Sequence, residues 1–286
     1  MKLKSAAKIN LALDVTGRRS DGYHEIESVF QTVGIYDEIT VKLTESGIGL
    51  ICESDGTFPC DDIPCDERNI AYKAARKFLD ENGLEIGCRI CIKKGIPSQA
   101  GMGGGSSNAA AVLFCLEKLT GKVFSSPEKI GADVAFYLCG GTAYVAGIGE
   151  KITKIADYSG KILVIAKGNE GVSTNEAYKA IDELENYSPL DIKNLVRAIE
   201  KKEDISKYIG NIFEKAVELS EVADIKRKML ASGAESACMT GSGSAVFGIF
   251  SDLESARRCN EILAGNSVFS RICETVPESF VILEQL

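Results

Sequence analysis

The chain has 286 residues, 45% apolar and 26% charged, with a formal net charge of −8 and a pI near 5.0. That is the make-up of a globular protein with room for two compact domains, and it excludes a chain that lives on nucleic-acid backbone contacts, which calls for a basic surface. No run reaches the ~20 apolar residues that cross a bilayer, and Lys2, Lys4 and Lys8 interrupt any signal-peptide core, so no membrane partner and a cytoplasmic location are expected.

The ten cysteines raise the question of a metal site. Cys88 and Cys91 lie in an alternating, strand-like stretch, where residues three apart face opposite ways and cannot close on one ion. Ten reduced thiols acting as small apolar fillers suit a reducing compartment.

In chain order, residues 3 to 15 alternate, with Leu3, Ala7, Ile9, Leu11, Leu13 and Val15 on one face and Lys8, Asn10 and Asp14 on the other. A turn from Gly17 to Tyr23 precedes strands expected at 29–33, 39–43 and 48–52. Residues 67 to 82 read as a helix capped by Asp66 and stopped by Gly83. A strand over 86–93 runs through Pro97 into a glycine-rich loop, and an Ala-rich helix follows from about Ser106 to Leu119, ending at Gly121. A short helical piece with Pro127 in its first turn precedes Gly131-Ala132-Asp133. Strands at 142–146 and 162–166 bracket a boundary near residue 155, which gives two domains, 1–155 and 156–286. The second half alternates helices (about 176–185, 190–202, 205–219, 222–232, 252–264) with strands (237–240, 245–250, 271–275, 280–283). The mixture without regular βαβ alternation in the first half is α+β.

Gly101-Met102-Gly103-Gly104-Gly105-Ser106-Ser107-Asn108 is the most informative segment. Glycines let a backbone approach a ligand and adopt positive φ, and the helix start beyond them offers unpaired amides at a positive dipole end. Together they make a phosphate cradle. The alternative, a Gly/Ser linker, sits poorly between a strand and an Ala-rich helix. The loop is not a Walker A sequence, and it lacks the Rossmann spacing.

With Pro97 before it, the loop resembles the second motif of the GHMP kinases, Pro-x-x-x-Gly-Leu-Gly-Gly-Gly-Ser-Ser, with Met102 in the place of leucine, a swap of similar volume. Ala6-Ala7-Lys8-Ile9-Asn10-Leu11 resembles the first motif, and Met239-Thr240-Gly241-Ser242-Gly243-Ser244-Ala245 the third. The resemblance implies an α+β, two-domain GHMP kinase fold, with a ribosomal-protein-like N-terminal domain and a ferredoxin-like C-terminal domain. It implies ATP and Mg2+ as cofactors and a phosphoryl acceptor that is a small alcohol. Asp133 takes the family's base position and Lys8 its charge partner, since a neighbouring lysine keeps an aspartate ionised. By pattern alone Lys8 reads equally as a solvated strand lysine and Asp133 as a helix cap. Pro97, Gly101, Met102, Gly103, Gly104, Gly105, Ser106 and Ser107 then hold ATP, Asn69 and Lys94 match positions at its base, and Ser106 is a candidate Mg2+ contact by analogy.

A fourth segment, Arg19-Ser20-Asp21-Gly22-Tyr23-His24, resembles the signature of the diphosphocytidyl-methylerythritol kinases, a branch of that family. This implies a partner carrying a cytidine diphosphate group. Tyr23 and His24, the sole histidine, belong to the cytidine pocket by that resemblance; Asn10 is a substrate contact, and Tyr178 stacks on the opposite face of the base. Two departures stand out: Ala135 replaces a family proline, and the stretch from Thr120 to Gly131 is short. The competing expectations are another GHMP kinase acting on mevalonate, homoserine or a sugar, and a nucleotide-binding regulator without catalysis.

Overall fold

The computed structural model describes residues 1–60, 63–185, 187–265 and 269–285. The first sheet is built on two long antiparallel strands, β1 (Lys2–Arg18) and β2 (His24–Thr44). β2 runs unbroken where two strands were expected. β3 (Ile48–Ser54) pairs parallel with β4 (Gly87–Lys94), which lies against β2. Three helices cover one face: α1 (Ile70–Glu81), α2 (Gly104–Thr120) and α3 (Val134–Cys139). Their buried stripes, among them Ala71, Ala75 and Phe78 on α1 and Ala109, Val112 and Leu116 on α2, meet Phe30, Ile39 and Ile90 of the sheet in one core. β5 (Thr142–Gly147) pairs with β2 and with β6 (Lys151–Lys154), a strand the sequence pattern did not signal.

β7 (Ile162–Lys167) opens a second sheet. Three helices follow: α4 (Thr174–Asp182), α5 (Ile192–Lys201) and, beyond a two-residue strand β8 (Gly210–Asn211), α6 (Phe213–Ala216). The single helix expected over 205–219 is therefore three short pieces, a 3-10 turn at Ser206–Tyr208 followed by β8 and α6. Gly210 and Asn211 pair parallel with Ala12 and Leu13 of β1, and the Asn211 side chain then accepts from Phe213 N at 3.0 Å. α7 (Ser220–Ala231), β9 (Ser236–Met239), β10 (Val246–Phe250), α8 (Leu253–Ala264) and β11 (Phe269–Glu274) complete the sheet in the order β11-β7-β10-β9. That βαββαβ order is ferredoxin-like. None of the described helices is long and apolar enough to cross a membrane.

The chain does not divide cleanly at 155. Its last strand, β12 (Phe280–Glu284), pairs antiparallel with β1 at the edge of the first sheet. The two halves also share a core, in which Ala7, Ile9 and Leu11 of β1, Leu195 and Ile199 of α5, and Ile165 and Phe247 of the second sheet pack together. β1 is consequently buried on both faces from Ser5 to Val15, and its polar residues there must all find partners.

Two helix starts differ from expectation. Asp66 does not cap α1, because Arg68 takes its carboxylate through Nε and Nη2; the cap is Asn69, whose Oδ1 accepts from Ala71 N at 2.9 Å. α2 begins at Gly104 rather than Ser106, with Gly103 as its cap at φ 68°, so the glycines themselves form the helix's first turn.

Candidate active site

The β1–β2 register shifts at Ala6/Ala7 and again between Asn10 and Ala12. Bulges of this kind re-aim side chains, and these two flank Lys8 and Asn10, which share a face two residues apart. Lys8 is 4% exposed. Its Nζ donates to Asn10 Oδ1 at 2.7 Å, lies 3.6 Å from Asp133 Oδ2 and stands 4.4 Å from the centre of the Phe30 ring. Burial pushes the Lys8 ammonium below the ordinary lysine range, and the Asp133 carboxylate opposes that shift. Asp133 precedes α3 without capping it; its carboxylate turns toward Lys8 instead.

The three motif segments converge on this pair. Lys8 N donates to the Met102 carbonyl at 3.0 Å, which also accepts from the Tyr137 hydroxyl at 3.0 Å. Met102 itself is buried in the shared core, so the change from leucine is absorbed as packing. Ala245 N donates to Ala100 O at 3.2 Å. Two glycines leave no room for a side chain. At Gly101 (φ 70°) a Cβ would fall 2.0 Å from the Thr240 carbonyl, and at Gly103 it would fall 2.3 Å from the Tyr137 hydroxyl. No side chain caps the start of α2. The first-turn amides, at the positive end of a 17-residue helix, are left for an anion. Gly105 is exposed and Ser106 half-buried at this opening.

Several residues expected to touch ligand are engaged inside the chain. The Asn10 Oδ1 accepts from Lys8 Nζ, from Thr240 Oγ1 at 3.2 Å and from Gly241 N at 3.0 Å, while its Nδ2 donates to Ser28 Oγ at 2.9 Å. Ser107 is fully buried and donates to the Ala6 carbonyl at 2.7 Å, pinning α2 to β1. Asn69 caps α1, and its Nδ2 bonds the Pro64 carbonyl at 2.8 Å. Lys94 pairs with Asp37, a fully buried carboxylate absent from the sequence reading, which also accepts from the amides of Gly95 and Ile96 at 2.8 Å each. Burial raises the Asp37 carboxyl above its usual range, with Lys94 and those two amides opposing. The Lys94 ammonium lies directly under the loop, 3.3 Å from where a Gly104 Cβ would stand. Pro97 is buried. Asn108, on the second turn of α2, was also missed as a single residue; its buried Oδ1 has no hydrogen-bond partner, which marks an acceptor awaiting a donor.

The fourth segment forms a hairpin tip at the far end of β1 and β2, with Arg18 opposite His24 and Gly22 at φ 89°. Tyr23 is 61% exposed. His24 and Tyr178 do not stand apart as two walls of a slot. Their rings stack directly, centroids 4.8 Å apart and planes 25° apart, and Phe213 meets Tyr178 edge-on at 5.0 Å. Aromatic rings left facing one another close the gap, because contact buries both. Ser173 and Glu176 form the capping box that starts α4 and sets Tyr178 in place. Ala135 falls in the first turn of α3, where a proline and an alanine are both accommodated.

The fold and this convergence are those of a small-molecule kinase family. The family descriptions "GHMP kinases N terminal domain" and "GHMP kinases C terminal" match residues 69–141 and 192–266. A Clostridium perfringens protein named 4-diphosphocytidyl-2-C-methyl-D-erythritol kinase is 42% identical over 284 residues, covering 95% of this chain and 96% of its own. One from Clostridium novyi with the same name is 40% identical over 271 residues, 91% and 95%. A crystal structure of 4-(cytidine 5'-diphospho)-2C-methyl-D-erythritol kinase superposes with a TM-score of 0.81 at 31% identity, covering 96% of this chain and 98% of that one. A homoserine kinase from Cytophaga hutchinsonii shares the fold alone, with a TM-score of 0.77 at 18% identity over 99% of this chain and 97% of its own. The chain therefore belongs to the GHMP kinases and, within them, to the 4-diphosphocytidyl-2-C-methyl-D-erythritol kinases.

Proposed function

We propose that this kinase transfers the γ-phosphoryl group of ATP to the 2-hydroxyl of 4-diphosphocytidyl-2-C-methyl-D-erythritol, a step toward isoprenoid precursors, with Asp133 as the base. The observation that carries the assignment is the Lys8–Asp133 pair at 3.6 Å, set beside the uncapped start of α2. Phosphoryl transfer asks mainly for positioning and charge neutralisation. The glycine-loop amides hold the phosphates, Lys94 adds positive charge from beneath, and the Lys8 ammonium faces both Asp133 and the incoming phosphoryl oxygens. Asp133 accepts the proton of the acceptor hydroxyl as the oxygen bonds to phosphorus, and ADP departs.

Among the described residues no group of three His, Cys, Asp or Glu could hold a metal ion. That fits magnesium, which keeps several waters and binds through substrate phosphates with one or two protein oxygens. The half-buried Ser106 hydroxyl at the loop mouth is such an oxygen, and the ion supplies charge neutralisation when bound. His24, Tyr23 and Tyr178 take the cytidine end, with the His24–Tyr178 contact exchanged for contacts to the base. Use of ATP agrees with a cytoplasmic enzyme. Release of ADP from ATP is the test, measured with the cytidine substrate against homoserine, mevalonate and galactose. Turnover on the cytidine substrate alone is expected, and comparable turnover on one of the others would replace the reading.

A further inference from the structure

The His24 ring is held in its plane by Tyr178 and in its rotation by a carboxylate. Its Nε2 lies 2.8 Å from Asp182 Oδ1, and only 9% of the side chain is exposed. Asp182, the last residue of α4, is held from its other side by Arg18, whose Nη1 stands 3.1 Å from Oδ2. The His24 hydrogen bond holds the Asp182 carboxyl below its usual range, and Arg18 adds to the effect. An ionised carboxylate only accepts, so the proton between the two groups sits on Nε2. A neutral imidazole carries one proton; with that proton on Nε2, Nδ1 is left with a bare lone pair. Among the described residues no donor stands against that lone pair; Asp182 is the ring's polar neighbour and Tyr178 its stacking one.

We infer that Asp182 is the residue that sets base specificity, by fixing His24 as the Nε2–H tautomer so that Nδ1 accepts from the exocyclic amine of cytosine. The inference rests on the cytidine reading above and deepens it. Cytosine offers an amine at position 4, a donor for Nδ1; uracil offers a carbonyl there, which sets two acceptors against each other. The other tautomer would reverse the preference. Arg18 and Asp182 come from β1 and α4, so the tautomer is fixed by contact between the two halves of the molecule. Asp182 acts through His24 and is a positioning residue. Leaving a buried group unpaired costs about one to two powers of ten in affinity.

Because His24 is the sole histidine, the experiment is direct. The imidazole ¹⁵N signals of the full chain are recorded at about pH 8.5, alkaline to the ordinary imidazole range, and CDP and UDP affinities are measured by calorimetry. The expected result is a protonated Nε2, a bare Nδ1, and CDP preferred over UDP by roughly 10- to 100-fold. In Asp182→Asn, a neutral amide that can donate as well as accept, both tautomers appear and the preference falls several-fold, with the melting temperature checked for an intact fold. In a His24→Ala background the same substitution leaves the preference unchanged. A protonated Nδ1 in the wild-type chain overturns the inference, as does an unchanged preference in Asp182→Asn when His24→Ala has flattened it. If the preference survives His24→Ala as well, the cytidine pocket lies elsewhere and the underlying reading falls with it.

Discussion

Lys8 and Asp133 carry opposite charges at very different depths, 5% and 25% of their side chains being exposed. The lysine depends on the aspartate, since a buried ammonium without a partner is costly, while the aspartate keeps an open side toward an acceptor. Asp133→Asn keeps size and fold but cannot take a proton. Turnover should fall on the order of 10²–10⁴-fold with ATP affinity within a few-fold, read by steady-state kinetics beside calorimetry; a rate near wild type would remove Asp133 from the base role. The lowered Lys8 pKa gives a pH signature. Above the folded pKa and below the ordinary lysine value, the unfolded chain binds more protons at this site than the native one. Raising pH through that window therefore adds to stability while it strips the charge that catalysis uses. The alkaline limb of kcat/KM should have its midpoint below the ordinary lysine value, and Lys8→Arg should move it upward because a guanidinium stays charged. An identical limb in Lys8→Arg would assign it to another group.

At the scale of elements, α2 owes its chemistry to its first turn. The glycines in that turn and in the loop before it have two separate tasks, and the distances tell them apart. Gly101 gives way to the Thr240 carbonyl of the third motif, 2.0 Å from its missing Cβ, whereas a Cβ at Gly105 would meet Ile70 at an ordinary 3.4 Å and otherwise stand at the open mouth. Gly101→Ala should lower stability by more than about 1 kcal/mol, from positive φ alone, before the clash is counted, which is several degrees in melting temperature. Gly105→Ala should fold normally, helped by the better helix propensity of alanine, and raise the KM for ATP several-fold by crowding the phosphate approach. Thermal melts and ATP kinetics on the two variants separate these outcomes; a Gly105→Ala enzyme with unchanged KM would show that the phosphates do not lie over that turn.

For the molecule as a whole, Asn10 is the joint. Through Thr240 and Gly241 it ties the first sheet to the turn between β9 and β10 while also accepting from Lys8. Asn211 does the same from the other side, donating to the Met239 and Gly241 carbonyls at 2.8 Å each. Asn10→Ala removes four buried hydrogen bonds, which should cost about 2–6 kcal/mol at roughly 0.5–1.5 kcal/mol each, and should lower kcat more than the KM for the cytidine substrate, because Lys8 loses an anchor. A large KM effect with kcat intact would instead return Asn10 to the substrate contact expected from its sequence position.

The sequence by itself determined the strands and helices of strong period, the α+β class, the phosphate-loop signature and the family. Those are local properties: alternation, capping residues, glycine spacing and short motifs survive without knowledge of what packs against them. It also placed Lys8 on the face of β1 away from the apolar row. What it could not determine is which polar groups are already engaged, because that depends on partners that stand, for the Asn10 side chain, as far as 231 positions away. Asp66 read as the cap of α1 until Arg68 took its carboxylate and left the task to Asn69, and Ser107 resembled a ligand contact until β1 lay beneath it. Asp37 and Asp182, two carboxylates in unremarkable stretches, acquired their roles only when Lys94 and His24 came to rest beside them. The 21-residue β2, the broken 205–219 segment and the return of β12 to the first sheet have the same origin. Each follows from hydrogen bonds to strands distant in the chain, and such pairings leave no periodic trace in the residues that make them.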